Sequence, residues 1–143
     1  MAMVVELEIF VDNEWVLMGQ VEVDATAISR GIKAPGTFSY ELNYLDRFGE
    51  HLLSHGIYAA SVRYPLNFAR YVEKEWPAFL LDLIPTGAAR ANWIKRLEIG
   101  DGPEADFVLL SKGLLTRLDI SEWQVVSDYS QPIMVIPGSL VKR

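Results

Sequence analysis

The sequence contains no cysteine, and this absence excludes several kinds of site at once. Disulfides, iron–sulfur clusters, cysteine zinc sites and thiol nucleophiles all need the missing side chain. Histidine is nearly absent as well, with only His51 and His55 in 143 residues. A serine–histidine triad would have to use one of these two, and no G-x-S-x-G turn is present to carry its serine. A chain without cysteine suits a reducing compartment, so we predict a cytoplasmic protein.

Basic residues and long apolar runs are also scarce. Thirteen Lys and Arg stand against nineteen Asp and Glu, a formal net charge of −6, and an acidic chain repels the phosphate backbone of nucleic acids. The apolar run from Ala78 to Leu81 ends at Asp82, far short of the roughly 20 residues of a membrane span. The amino terminus carries Glu6 and Glu8 but no basic region, so we expect no secretory signal. We therefore predict a soluble protein that binds neither a membrane nor nucleic acid directly.

Apolar and aromatic residues are plentiful enough to build a core. Half of the residues are hydrophobic and 11% are aromatic, which excludes wholesale disorder. In the first third of the chain, apolar and polar residues alternate, and this period of two predicts strands over residues 7–11, 15–19, 37–42 and 57–64. The connections between them are short, which favours an antiparallel sheet.

The second third of the chain changes to helical spacing. Two prolines bracket a predicted helix over residues 77–84, and a second helix is predicted over 86–98. Trp93 lies on the apolar stripe of that second helix, so we expect it to be buried. A capping-box-like spacing at residues 101–104 predicts a third helix toward Lys112. Strands first and helices second predict an α+β fold, with a small antiparallel β-sheet or partial barrel followed by packed helices.

The last thirty residues, 114–143, have a different character. Their apolar run 133–136 stands between Pro132 and Pro137, which predicts one added edge strand. If the chain is a dimerisation module, this strand would pair with its copy across a symmetry axis. A homodimer is therefore one of the assemblies that the sequence leaves open.

His51 and His55 are the strongest candidates for metal ligands. Their spacing of four residues would align them on one face of a helix, and Asp46 or Glu50 would supply an oxygen ligand. A zinc enzyme needs a third protein ligand and an open position, and the H-E-x-x-H order is absent. Surface histidines are the preferred interpretation, and a small metal- or ligand-binding domain remains the alternative.

Nucleotide-binding and kinase motifs are absent from the sequence. Residues 100–102 lack the next glycine of a dinucleotide loop, and residues 111–113 are in the wrong order for a Walker A loop. Neither an H-R-D catalytic loop nor a D-F-G segment occurs. We predict no catalytic residue, no metal site and no cofactor, and hence no enzymatic activity of the chain by itself.

Trp76 and Arg90 are the predicted partner-interface residues. Tryptophan is enriched at binding hot spots, and Trp76 stands beside the charged residues Lys74 and Glu75. Arg90 belongs to the densest basic patch of the sequence, on the second predicted helix. A cation there is suited to contact a phosphate or an acidic partner.

One segment, residues 76–90, resembles the amino-terminal region of HipA-like proteins. Ile84 replaces a leucine of that family's pattern, and Thr86 replaces an acidic residue. The resemblance extends over residues 4–113 through the order of the predicted strands and helices. The matching residues of the segment are Pro77, Phe79, Asp82, Leu83, Pro85, Gly87 and Arg90.

HipA-like proteins are serine/threonine kinase toxins of type II toxin–antitoxin systems, with a HipB-like helix-turn-helix antitoxin as partner. Their kinase machinery lies downstream of the matched region, and residues 114–143 show none of its ATP-binding pattern. The resemblance therefore implies a non-catalytic amino-terminal domain that packs on a kinase and regulates it. It leaves open an alternative, a stand-alone subunit of a split system that neutralises a separate kinase toxin.

Overall fold

Two long strands form the centre of the fold. In the computed structural model, which describes residues 2–49, 58–61, 63–113, 133–135 and 141–142, strand β1 spans Ala2–Val11 and β2 spans Glu14–Asp24. Asp12 and Asn13 connect them, and both have positive φ, 50° and 63°. Two successive left-handed residues are the geometry of a type I′ hairpin turn, which Asp and Asn tolerate. The strands predicted over residues 7–11 and 15–19 are confirmed, and they pair as a hairpin.

The other strands extend this hairpin into one antiparallel sheet. Strand β3 spans Gly36–Tyr40, β4 spans Tyr71–Glu73, β5 spans Ile133–Val135 and β6 spans Val141–Lys142. Their order is β4-β3-β2-β1-β5, and β6 also pairs with β1. The predicted edge strand after Pro132 is confirmed, and it pairs with β1 of the same chain.

In the part of the chain that the structure describes, five helical segments complete an α+β fold, as predicted. Two of them are 3₁₀ helices, the tighter form with i→i+3 hydrogen bonds. The 3₁₀ helix Ala78–Leu83 replaces the helix predicted over residues 77–84. The segments are the 3₁₀ helix Ala25–Lys33, which is kinked at the non-helical residue Gly31, α1 at Leu42–Phe48, the 3₁₀ helix Ala78–Leu83, α2 at Gly87–Leu97 and α3 at Ala105–Ser111.

The hydrophobic core lies between one face of the sheet and the helices. Alternate residues of the central strands are buried, as the period of two requires, and α3 contributes three large apolar side chains. Removing such side chains from water is the main stabilising contribution to folding. The core includes Val5, Leu7, Ile9, Val21, Val23, Phe38, Leu80, Leu83, Phe107, Leu109 and Leu110.

The strand predicted over residues 57–64 is wrong in its described part. Residues 58–61 and 63–64 form turns and bends, and the strand beside β3 is Tyr71–Glu73 instead. The Tyr40 hydroxyl explains the difference, because it donates to the backbone oxygen of Tyr64 and accepts from the Ala60 N–H at 3.0 Å. Backbone groups that bond to a side chain in this way do not form a strand ladder.

The expected burial of Trp93 is also wrong. Helix α2 has no buried residue, and Trp93 is half-buried against the edge of the core. The guanidinium of Arg96 lies 5.4 Å from the centre of the Trp93 ring, so a cation covers part of the indole face. Glu98 ends the helix with φ 55°, a left-handed position that sequence analysis would give to glycine.

No helix in the described ranges has both the length and the apolar character needed to cross a membrane.

Candidate functional site

Trp76, a predicted partner contact, lies in the core. Its side chain is only 5% exposed and packs edge-on against Phe107, with ring centres 6.2 Å apart. The Trp76 backbone N–H donates to the Ile32 oxygen at 3.1 Å, which fixes the segment after β4 to the 3₁₀ helix Ala25–Lys33. Trp76 is therefore almost wholly covered by residues that the sequence places far away, and its role as a partner contact stays a prediction.

Arg90, the second predicted contact, is engaged inside the molecule. Its side chain is 22% exposed, and it forms ion pairs with Asp106 at 2.9 Å and with Asp101 at 3.2 Å. Asp106 also accepts a hydrogen bond from the Ile32 N–H at 3.0 Å. We call this arrangement of Arg90, Asp101, Asp106 and Ile32 the carboxylate clasp. It joins α2 and α3 to the Ala25–Lys33 helix, so the charge of Arg90 stabilises the fold.

The clasp depends on Gly31 in the segment Ala25–Lys33. Gly31 has φ 60°, in the left-handed region, and an added Cβ would lie 2.4 Å from Asp106 Oδ2 and 2.5 Å from the Pro103 oxygen. Any other residue would collide with the carboxylate and strain the backbone. A glycine inside a segment of helix-forming residues was the available signal.

The candidate metal ligands His51 and His55 lie outside the described residues. Within the described ranges, no group of three or more His, Asp or Glu side chains is placed to hold a metal ion.

A cleft of about 490 Å³ opens beside strand β4, and we call it the β4 cleft. Tyr71 of β4 faces the core, stacked near Phe38, so the next residue, Val72, faces away from the core and Glu73 faces toward it. Because both Val72 and Glu73 line the cleft, it runs along the outer edge of the strand. Its lining residues are Arg63, Tyr64, Val72, Glu73, Lys74, Glu75, Trp76, Ala78 and Leu81.

The outer edge of β4 has no strand beside it in the part of the chain that the structure describes. On its other side β4 pairs with β3, in the register Thr37 to Val72. No backbone hydrogen bond from a turn or loop reaches residues 71–73 among those described. Within the described residues, β4 is therefore the last strand at this edge of the sheet.

Exposed apolar side chains lie at the same place. Val72 is 75% exposed and Leu81 is 40% exposed, and both line the β4 cleft. A single exposed apolar residue is normal on a protein surface. Two of them beside an unpaired strand edge form a surface suited to be covered.

The carboxylates of the cleft already have partners. Glu75 lies 3.5 Å from the Lys33 amine in an exposed ion pair. Glu73 lies against the Tyr64 hydroxyl, and the pKa of Tyr64 is raised, first by burial and then by the negative charge of Glu73. Glu75 therefore has a cation partner within the molecule, whereas Glu73 faces a neutral hydroxyl.

The two cations of the cleft are not compensated in this way. Arg63 and Lys74 are both exposed, and neither forms an ion pair with another residue of the described ranges. The wall that carries Arg63 is held in place by Tyr71, whose hydroxyl donates to the Pro65 oxygen at 2.6 Å. Within the described residues, the cleft therefore combines a strand edge without a neighbour, apolar surface and two exposed positive charges.

Comparison of the chain with protein-family models, with curated proteins and with solved structures found no match to any of them.

Proposed function

We propose that this chain is a non-catalytic docking domain that binds a HipA-like serine/threonine kinase and regulates it. The observation that carries the proposal is Val72, 75% exposed beside the β4 cleft, on a strand edge that no other strand of the described residues covers. The resemblance of residues 76–90 to HipA-like proteins supports the choice of partner. A HipB-like antitoxin is expected in the same assembly.

The mechanism is the burial of the β4 edge and its apolar neighbours against the kinase. Strand addition supplies main-chain hydrogen bonds, and the flanking side chains supply specificity. The same mechanism serves a kinase in the same polypeptide and a kinase made as a separate chain. In the second case the chain acts as a neutralising subunit, because a bound domain of this size can hold the kinase in one conformation.

The test is a titration of the purified chain with a purified HipA-like kinase from the same genome, followed by calorimetry. Val72→Asp places a charge on the proposed contact, and we expect affinity to fall at least about tenfold, equivalent to about 1.4 kcal/mol. Leu42→Asp is the matched control, since Leu42 is 63% exposed and does not line the cleft. That variant should bind as the unaltered chain does.

Two results would contradict the proposal. One is a failure of the unaltered chain to bind the kinase or to change its phosphorylation rate. The other is nucleotide-dependent phosphate transfer by the purified chain alone, which would make it catalytic.

A further inference from the structure

We infer that Asp106 is a positioning residue for the proposed docking surface, one that acts by holding other residues in place. It fixes Trp76, which lies in the chain between the two exposed apolar residues of that surface, Val72 and Leu81. The basis is a pair of hydrogen bonds that links Asp106 to Trp76 through Ile32. This inference rests on the proposed docking function and assigns a role to one side chain of the carboxylate clasp.

Trp76 is the junction between the two parts of the docking surface. Val72 belongs to strand β4, which ends at Glu73, and Leu81 belongs to the 3₁₀ helix Ala78–Leu83. Trp76 stands between these two elements in the chain and lines the same cleft. The relative position of the two exposed apolar side chains therefore depends on where Trp76 is held.

Helix α3 holds Trp76 by two routes. The Asp106 carboxylate accepts the Ile32 N–H at 3.0 Å, and the Ile32 oxygen accepts the Trp76 N–H at 3.1 Å. The next residue of α3, Phe107, packs edge-on against the indole ring of Trp76 with 6.2 Å between the ring centres. Only two hydrogen bonds separate the Asp106 carboxylate from the Trp76 backbone, so loss of the first removes support from the second.

The surroundings of Asp106 strengthen the first route. Its side chain is only 13% exposed, and a hydrogen bond with little access to water is stronger than one in solvent. Its other oxygen pairs with Arg90 at 2.9 Å, which orients the carboxylate. A surface that is already ordered binds a partner with a smaller loss of entropy than one that must be ordered on binding. We therefore expect the Asp106 link to contribute to affinity.

Asp101 offers a matched comparison within the clasp. It pairs with the same guanidinium, that of Arg90, at 3.2 Å, and no hydrogen bond to it from the Ala25–Lys33 helix is present among the described residues. Asp101→Ala and Asp106→Ala each remove one carboxylate from Arg90. Only Asp106→Ala also removes the acceptor of the Ile32 N–H, so a comparison of the two variants isolates that link.

The first test uses the ¹⁵N-labelled full chain without a partner. We expect Asp106→Ala to shift the amide resonances of Trp76 and Val72, and Asp101→Ala to leave both unchanged. Asp106→Asn keeps an oxygen that can accept the Ile32 N–H, so it should shift the Trp76 resonance less than Asp106→Ala does. Unchanged Trp76 and Val72 resonances in a folded Asp106→Ala variant would overturn the inference.

The second test is calorimetric titration of the same variants with the HipA-like kinase. Asp106→Ala should bind about tenfold more weakly than the unaltered chain, because the partner must then order the surface itself. Asp101→Ala should bind within about twofold of the unaltered chain, and Asp106→Asn should bind more tightly than Asp106→Ala. Equal weakening by the two alanine variants would indicate a general loss of stability and contradict the inference.

Gly31→Ala breaks the same link in a second way and serves if Asp106→Ala fails to fold. The added Cβ lies 2.4 Å from Asp106 Oδ2, so the carboxylate must move away from the Ile32 N–H. We expect the same resonances, those of Trp76 and Val72, to shift and the kinase affinity to fall. A folded Gly31→Ala variant that binds the kinase as the unaltered chain does would count against the positioning role.

The two measurements separate this inference from the proposed function. If the kinase binds the unaltered chain and Asp106→Ala equally well, the docking function stands and the positioning inference fails. If Asp106→Ala shifts the Trp76 and Val72 resonances and the kinase does not bind the unaltered chain, the positioning role stands and the proposed partner is wrong.

Discussion

The two edges of the sheet differ in how they are covered. At one edge β1 is paired along its length by β5, at Leu7–Ile9, and by β6, at Met3 and Val4. At the other edge β4 is three residues long and exposes Val72. The backbone groups are the same at both edges of the sheet. The two edges therefore differ only in which segments of the chain pair with them. The covered edge contributes to stability, and the open edge is where we propose that function lies.

The largest expected effect comes from making matched changes at the two edges. Ile133 of β5 is buried opposite Ile9 of β1, and Ile133→Ala should lower the free energy of unfolding by about 2–4 kcal/mol. Val72→Ala at the open edge should change it by less than about 0.5 kcal/mol. Urea unfolding of both variants measures the difference. Similar losses in the two variants would contradict the distinction between the edges.

A smaller effect is expected from Gly31→Ala, which disrupts the carboxylate clasp. The clasp holds Ile32, whose oxygen accepts the Trp76 N–H just after β4, so it supports the open edge. The added Cβ meets Asp106 Oδ2 at 2.4 Å, and the backbone is left-handed. We expect a loss of about 1–3 kcal/mol in urea unfolding.

Gly100→Ala is the control for that variant, because an added Cβ at Gly100 meets no atom within 4 Å. It should be as stable as the unaltered chain. A Gly31→Ala variant as stable as this control would show that the clasp does not require glycine.

The smallest expected effect is a loss of stability at alkaline pH. It comes from the tyrosines whose hydroxyl groups bond to the segment before β4. Burial raises the pKa of Tyr40 and of Tyr44 above the ordinary value of 10.0. The unfolded chain therefore releases these protons near pH 10 while the folded chain keeps them. The stabilising contribution of these two tyrosines is fully present below about pH 10. The free energy of unfolding falls as the pH rises above that value.

Urea unfolding at about pH 8 and about pH 11 measures this fall, on either side of the ordinary tyrosine pKa. Tyr40→Phe loses the hydrogen bonds to Tyr64 and Ala60, so it should be about 1 kcal/mol less stable at the lower pH. It should also show a smaller fall at the higher pH. A fall equal to that of the unaltered chain would exclude Tyr40 as a source of the pH dependence.

Much of the fold follows from local sequence signals. The hairpin at Asp12 and Asn13, strand β3, helices α2 and α3, and the added strand β5 all lie where periodicity or turn residues predict them. These elements are determined over short stretches, through the period of apolar residues and the backbone preferences of a few turn residues. The resemblance to HipA-like proteins was also based on local residues, and it stays a prediction.

Strand β4 and its cleft had no such signal. Tyr71–Glu73 is too short to show a period, and its one outward apolar residue, Val72, is exposed. The segment before it has strand-forming residues, but the Tyr40 hydroxyl from a neighbouring strand takes up its backbone groups. Competition between local preference and a distant side chain is decided only in the folded molecule.

The sequence by itself determined the α+β class, the central hairpin and the succession of strands and helices, because alternation, proline and turn residues act within a few positions. Only the tertiary structure decided whether the side chains of Trp76 and Arg90 are exposed or are engaged within the fold. Trp76 is buried against Phe107, and Arg90 is paired with Asp106, which also bonds Ile32 across 74 residues of chain. Burial and ion pairing depend on which distant residues meet, and so does the position of β4 as the last strand of the sheet among the described residues.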